Sequence, residues 1–177
     1  MRLFILSFLL LLTSSLLAQK PIDNSDTLLT ITKEHYSLKY PKSWTIDTSK
    51  ILGMDVLVRS PKTDSLDDFS ENMNVFVQSL RGQNYSLSRM GQEREAQIKN
   101  MITDVQITNS TLDSTTSPQC YILQYEGRQG KFSLTTIQHY YLKDEIGYAL
   151  TFTIKNGKEK EYTPLANKMF NSFKFQQ

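Results

Sequence analysis

KFSLTTIQHYYLKDEIGYALTFTI, residues 131–154, decides how the rest of the chain reads. In its second half Ile146, Tyr148, Leu150, Phe152 and Ile154 alternate with Glu145, Gly147, Ala149, Thr151 and Thr153. A period of two sends the five large apolar groups to one side of a strand and the small or polar groups to the other. Phe132, Leu134, Thr136, Tyr140 and Leu142 alternate less cleanly in the first half, with Thr135, Ile137, His139 and Tyr141 on the opposite face. β-branched and aromatic residues dominate both halves, as a half-buried antiparallel sheet favours. Lys143–Asp144–Glu145 is the polar turn between them, so the stretch predicts a hairpin.

Upstream, Cys120–Glu126 and Val105–Thr108 read as two further strands around a polar linker, NSTLDSTTSP (109–118). GRQG (127–130) is the turn into the hairpin. Ser86 is a suitable N-cap for a helix from Leu87 to about Ile102. Leu87, Met90, Ile98 and Met101 fall near one face of it, and Arg94 interrupts that face. Further back, MNVFVQSL (73–80), the end of ILGMDVLVRS (51–60), YSLKYPKSWTID (36–47) and Leu28–Ile31 supply strands, with a turn at Pro41. Downstream, Asn156-Gly157 ends the hairpin region and KEKE (158–161) reads as a solvated charge run. Thr163-Pro164 then opens a C-terminal helix with Leu165, Met169 and Phe173 on one face.

The chain has 177 residues, one domain's worth, and 39% of them are hydrophobic. Met1-Arg2, an apolar run from Leu3 to Leu12 and the small residue Ala18 form a secretory signal with cleavage expected after Ala18. A retained transmembrane helix needs about 20 apolar residues, and this run is shorter. The expected organisation is a signal peptide over 1–18, an N-terminal lead-in over 19–35, and a single domain over 36–177. The expected destination is the periplasm or the medium, with no membrane anchor once the signal is removed. Without Arg2 there remain 19 basic and 18 acidic residues, which is no nucleic-acid footprint. Cys120 is the only cysteine, so no internal disulfide can form and the core must hold the fold. The plain reading of Cys120 is a small buried strand residue, since no neighbouring cation activates it.

Catalytic motifs are missing: no G-x-S-x-G, P-loop, G-x-G-x-x-G, H-E-x-x-H or C-x-x-C occurs. The expectation is a non-enzyme without a cofactor. Two sets of residues are candidates for binding. Asp64, Asp67, Asp68 and Glu71 lie in the most loop-like stretch, 60–72, and four carboxylates in eight residues suit a hard cation. The D-x-D-x-D-G spacing of a calcium loop is missing, and solvated loop acids are the plainer reading. His139, Tyr141 and Arg128 line a shallow polar site if no helix fully covers their face; a satisfied histidine is the plainer reading there. Nine tyrosines, where exposed, suit a protein-contact surface.

Tyr36-Ser37-Leu38 with Tyr40-Pro41 and Trp44, Phe69 with Asn72, Asn74 and Val75, Tyr148 to Phe152, and Phe170-Asn171-Ser172-Phe173 occur in this order along the expected domain. Together they resemble the PsbP-like proteins, which include the extrinsic photosystem II subunit and exported bacterial proteins of the DcrB and LpqN type. The resemblance implies an α+β fold: an antiparallel sheet of about six or seven strands with helices on its faces, an α/β/α sandwich. The order of strands, helix, strands and helix in sequence fits that arrangement independently. The resemblance also implies an accessory or assembly role, binding another envelope or secreted protein. The alternative is a periplasmic module for a small ligand or a divalent metal.

Overall fold

The computed structural model describes residues 27–176; the expected signal peptide and residues 19–26 lie outside them. The hairpin pairs strands β8 (Phe132–Lys143) and β9 (Ile146–Lys155) in continuous antiparallel register, from Leu134 opposite Lys155 to Lys143 opposite Ile146. Asp144 and Glu145 connect them with φ of 52° and 58°. Left-handed φ at both central residues is what a two-residue type I′ turn requires, and its twist matches that of the strands.

The hairpin lies inside a seven-stranded antiparallel sheet. The other strands are β3 (Thr45–Asp47), β4 (Val56–Arg59), β5 (Asn72–Ser79), β6 (Thr103–Asp113) and β7 (Cys120–Gln129), in the order β3-β4-β5-β9-β8-β7-β6. A second sheet joins β1 (Leu28–Thr32), β2 (Tyr36–Pro41) and β10 (Lys174–Phe175), in the order β1-β2-β10. Two strands expected to be neighbours across Pro41 therefore belong to different sheets. β1 pairs with β2 from Leu28 to Thr32, so the folded unit includes residues placed in the 19–35 lead-in.

Each face of the large sheet carries one helix. Helix α2 (Glu159–Asn171) and the small sheet cover the first face. There Leu150, Phe152 and Ile154 of β9 meet Met73 and Val75 of β5, Leu38 of β2, and Met169 and Phe170 of α2, all of them buried. Full burial of each such side chain contributes roughly 1.5–3 kcal/mol, and this is the main core. Helix α1 (Leu87–Met101) packs over β6, β7 and β8 on the second face, enclosing Leu80, Met90, Tyr121, Leu123, Tyr125 and Tyr140. Its close seating depends on Gly91: a Cβ there would lie 2.3 Å from the Tyr121 ring.

Helix α1 starts as expected, with Ser86 Oγ accepting the Arg89 N–H at 3.2 Å. Met101, expected on its buried face, is 70% exposed, and Ile98 and Ile102 make the sheet contact at that end instead. Helix α2 begins at Glu159, earlier than Thr163, and takes in the last three residues of KEKE, with Lys158 at its cap position. Two of these charges, Lys158 and Glu159, are partnered rather than merely solvated. Glu159 Oε2 accepts the Gly157 N–H at 2.9 Å, and its Oε1 accepts the Thr135 hydroxyl at 2.9 Å. Acidic residues in a first turn also suit the helix dipole. Pro164 sits inside the helix on the exposed side, where water can satisfy the carbonyl it leaves free.

The first half of the stretch 109–118, expected as linker, is strand: β6 runs to Asp113 opposite Cys120. It is an edge strand, so its Ser, Thr and Asn side chains face water and mimic loop composition. Two register slips along it blunt the edge. The turn expected over 127–130 also shifts, to Gly130-Lys131, where Gly130 has φ 60°.

Candidate functional site

Helix α1 is too narrow for the second face and leaves part of β5 and β9 open. Between them lies a groove of about 170 Å³. Its floor is Gly147 and Ala149, the small residues that alternate with the apolar side of β9. Phe76 and Gln78 of β5 form one wall, and Met90, Arg94 and Gln97 of α1 form the other. At the back the Tyr140 hydroxyl donates to Gln138 Oε1 at 2.6 Å, and Gln138 Nε2 donates to Thr151 Oγ1 at 3.0 Å. Burial pushes the Tyr140 phenol well above its ordinary value, so it remains a proton donor. Arg94 bonds Gln97 Oε1 at 2.8 Å and reaches across the groove to Gln78 Oε1 at 3.4 Å.

A strained turn continues this surface. Lys50 and Leu52 have φ of 61° and 51°, in the region that side chains with a Cβ avoid. The turn leaves Leu52 85% exposed and sets Gly53 against the Phe76 ring, itself 39% exposed. Three apolar groups, Ile51, Leu52 and Phe76, thus stand out beside the groove.

His139 and Tyr141 come together, but under α2 rather than in an open site. The His139 ring stacks on Phe170, centroids 3.9 Å apart. Its Nδ1 lies 3.3 Å from the Tyr141 hydroxyl and 3.8 Å from Cys120 Sγ. Burial lowers the imidazole to about 4, against the weaker opposing pull of the Asp113 charge. Burial also raises the Cys120 thiol and the Tyr141 phenol. A nucleophilic thiolate beside an imidazolium needs both shifts in the opposite sense; this cluster favours neutral groups. Arg128 does not join them. It pairs with Ser133 while His139 pairs with Ile122, six positions along β7, or roughly 20 Å at about 3.3 Å per residue. Its guanidinium lies 3.8 Å from Asp104.

The acids of the 60–72 loop meet lysines. Asp68 lies 2.8 Å from Lys131 Nζ and 2.7 Å from Lys155 Nζ, and those two bonds hold its carboxyl far below the usual range. Lys158 Nζ lies 3.6 Å from Asp67 and 3.9 Å from Glu71. Burial pushes Asp67 up, but the Thr63 amide and hydroxyl and the Lys158 charge outweigh it and leave the carboxyl below its ordinary value. Asp64 bonds the backbone amides of Leu66 and Asp67. Asp67, Asp68 and Glu71 therefore stitch the loop to its neighbours through lysines, while Asp64 bonds within the loop. Among the described residues no three His, Cys, Asp or Glu side chains are set to hold a metal.

Solved structures repeat this architecture. The solution structure of cyanobacterial PsbP from Synechocystis sp. PCC 6803 superposes with a TM-score of 0.65 at 14% identity, over 90% of this chain and 99% of that one. The chain has the PsbP-like fold. LpqN of Mycobacterium tuberculosis, described as involved in cell envelope biogenesis, gives 0.58 at 9% identity over 88% of this chain and 94% of that one. A Pseudomonas aeruginosa protein gives 0.57 at 9% identity, over 82% and 94%. No protein-family model matches the chain, and no curated protein matches it in sequence. The likeness is one of fold. The residues of the groove had a trace in the sequence: Arg94 breaks the apolar face of α1, and Gly147 and Ala149 are the small members of β9. Only the register of β5 against β9 reveals that Phe76 opposes Ala149 and Gln78 opposes Gly147.

Proposed function

We propose that the chain is an exported, non-catalytic accessory or assembly protein that binds another envelope protein. The observation that carries this reading is the uncovered part of the second sheet face. There Phe76, Ile51 and Leu52 stand exposed beside a groove rimmed by Arg94 and Gln97. A turn that holds Leu52 in the left-handed region costs about 1–3 kcal/mol, and such strain concentrates where a surface is used. Aromatic and arginine side chains at the rim of an apolar patch suit a protein interface. The leader pattern of residues 1–18 supports export to the periplasm or beyond. The fold shared with LpqN supports an envelope setting.

The size of the groove favours a protein over a small molecule. Pockets for small ligands run to ~300–1,000 Å³, well above 170 Å³. The loop acids already have lysine partners, which weighs against a divalent cation. Affinity capture with the purified chain from envelope extracts tests the reading. A defined partner that a Phe76→Ser, Leu52→Ser variant fails to retain supports it. A partner retained equally by that variant, or no partner at all, would overturn it.

A further inference from the structure

We infer that the groove beside α1 captures the C-terminal residue of the partner chain, its apolar side chain in the slot and its carboxylate on Arg94. The inference rests on the reading of this face as a protein-docking surface and names what docks.

Arg94 is unlike the other cations of its helix. Arg89 pairs with Glu93 at 2.9 Å, and Lys99 pairs with Glu95. The acids flanking Arg94 are thereby engaged: Glu93 with Arg89 and the Tyr85 hydroxyl, Glu95 with Lys99 and Ser110. Arg94 bonds only neutral amide oxygens, those of Gln97 and Gln78, and among the described residues it has no carboxylate within ion-pairing distance. A guanidinium carries five donors and binds a carboxylate with two parallel bonds. The long bond to Gln78, 3.4 Å, is the one an incoming carboxylate would replace.

Beneath that charge lies an apolar slot. Leu80, Met90, Phe76 and the Tyr140 ring surround Gly147 and Ala149. Leu80 and Met90 close in over Gly147, where a Cβ would lie 2.9 Å from each, and so form the closed end of the slot. Its 170 Å³ is room for one aliphatic residue, not for a chain passing through. Tyr140, Gln138 and Thr151 are already satisfied by one another, so the unmatched donor at this site is Arg94. One apolar side chain and one carboxylate on the same carbon is the chemistry of a chain terminus. Capture of terminal carboxylates is a recurring mode of peptide recognition.

The test uses a fluorescein-labelled hexapeptide ending in alanyl-leucine with a free carboxylate, the same peptide as an amide, and the same dipeptide placed internally. N-acetyl-leucine serves as the free small acid. Binding is read by anisotropy and by amide shifts of Gly147 and Ala149. The free-carboxylate peptide should bind, with the amide and the internal sequence about tenfold weaker or worse. Arg94→Gln should erase the difference between acid and amide. Ala149→Leu, which fills the slot, should abolish binding with an unchanged melting temperature. Equal binding of acid and amide, no shift at Gly147 and Ala149, or full binding by Arg94→Gln would overturn the inference. N-acetyl-leucine binding as tightly as the peptide would also overturn it, by assigning the slot to a free acid. A partner still captured through Phe76 in the Ala149→Leu variant would leave the docking reading standing while this inference falls.

Discussion

His139 lies flat on Phe170, with ring centroids 3.9 Å and planes 7° apart. The stack joins the centre of the large sheet to α2 and excludes the water that would solvate an imidazolium. The native imidazole titrates near 4, below its ordinary 6.5, so the unfolded chain takes up the proton first. Its contribution to stability is therefore complete above about pH 6.5 and is lost as pH falls toward 4. At 1.36 kcal/mol per unit, the loss from this residue amounts to about 3 kcal/mol. Urea melts at pH 7.5, 5.5 and 4.5 should show it, and His139→Phe should flatten that slope. An unchanged slope in the variant would contradict the assignment.

Lys158 answers two buried carboxylates, Asp67 and the fully buried Glu71. Breaking a buried ion pair from one side leaves charge without compensation and costs about 3–5 kcal/mol. Lys158→Met should destabilise the chain by about 3 kcal/mol at pH 7, measured by urea denaturation. A loss under about 1 kcal/mol would mean that water reaches Glu71.

Gly91→Ala sets two effects against each other. Alanine is the better helix former by about 1 kcal/mol, but its Cβ would enter the Tyr121 ring at 2.3 Å. Overpacking costs about 1–3 kcal/mol, and the obstacle is a buried aromatic ring in β7 rather than a flexible chain end. Thermal melts should show a net loss and a changed near-ultraviolet tyrosine signal; a raised melting temperature would contradict the packing.

Cys120 is buried and its thiol is pushed up by that burial. A thiol reagent at pH 8 should label it only as fast as the protein opens, and at once in denaturant. Prompt labelling of the native chain would show an exposed thiol.

The hairpin and its sheet were legible because β9 alternates strictly, and a strand with one buried face has no other register available. Ser86 likewise announced α1 by a local rule. The second half of β6, from Asn109 to Asp113, was hidden because an edge strand's outward residues obey solvation rather than pairing. The early start of α2 was hidden because Lys158 and Glu159 find their partners in Glu71 and Thr135, far away in sequence. The placement of the candidate site residues was hidden for a related reason. The sequence reading placed His139 and Tyr141 on one strand and Arg128 in the turn before it, whereas Arg128 lies on β7, six positions from the residue opposite His139. The groove was legible only in fragments, since it needs Phe76, Ala149 and Arg94 from three elements.

Photocrosslinking in the living cell tests the docking surface most directly. A photoreactive residue replaces Phe76 on the open sheet face, and in a second strain it replaces Asn167 on the outer side of α2. One discrete adduct is expected from position 76, lost when Ala149→Leu or Leu52→Ser is added, and none from position 167. Adducts of equal yield from both positions, or from position 167 alone, would contradict the docking reading.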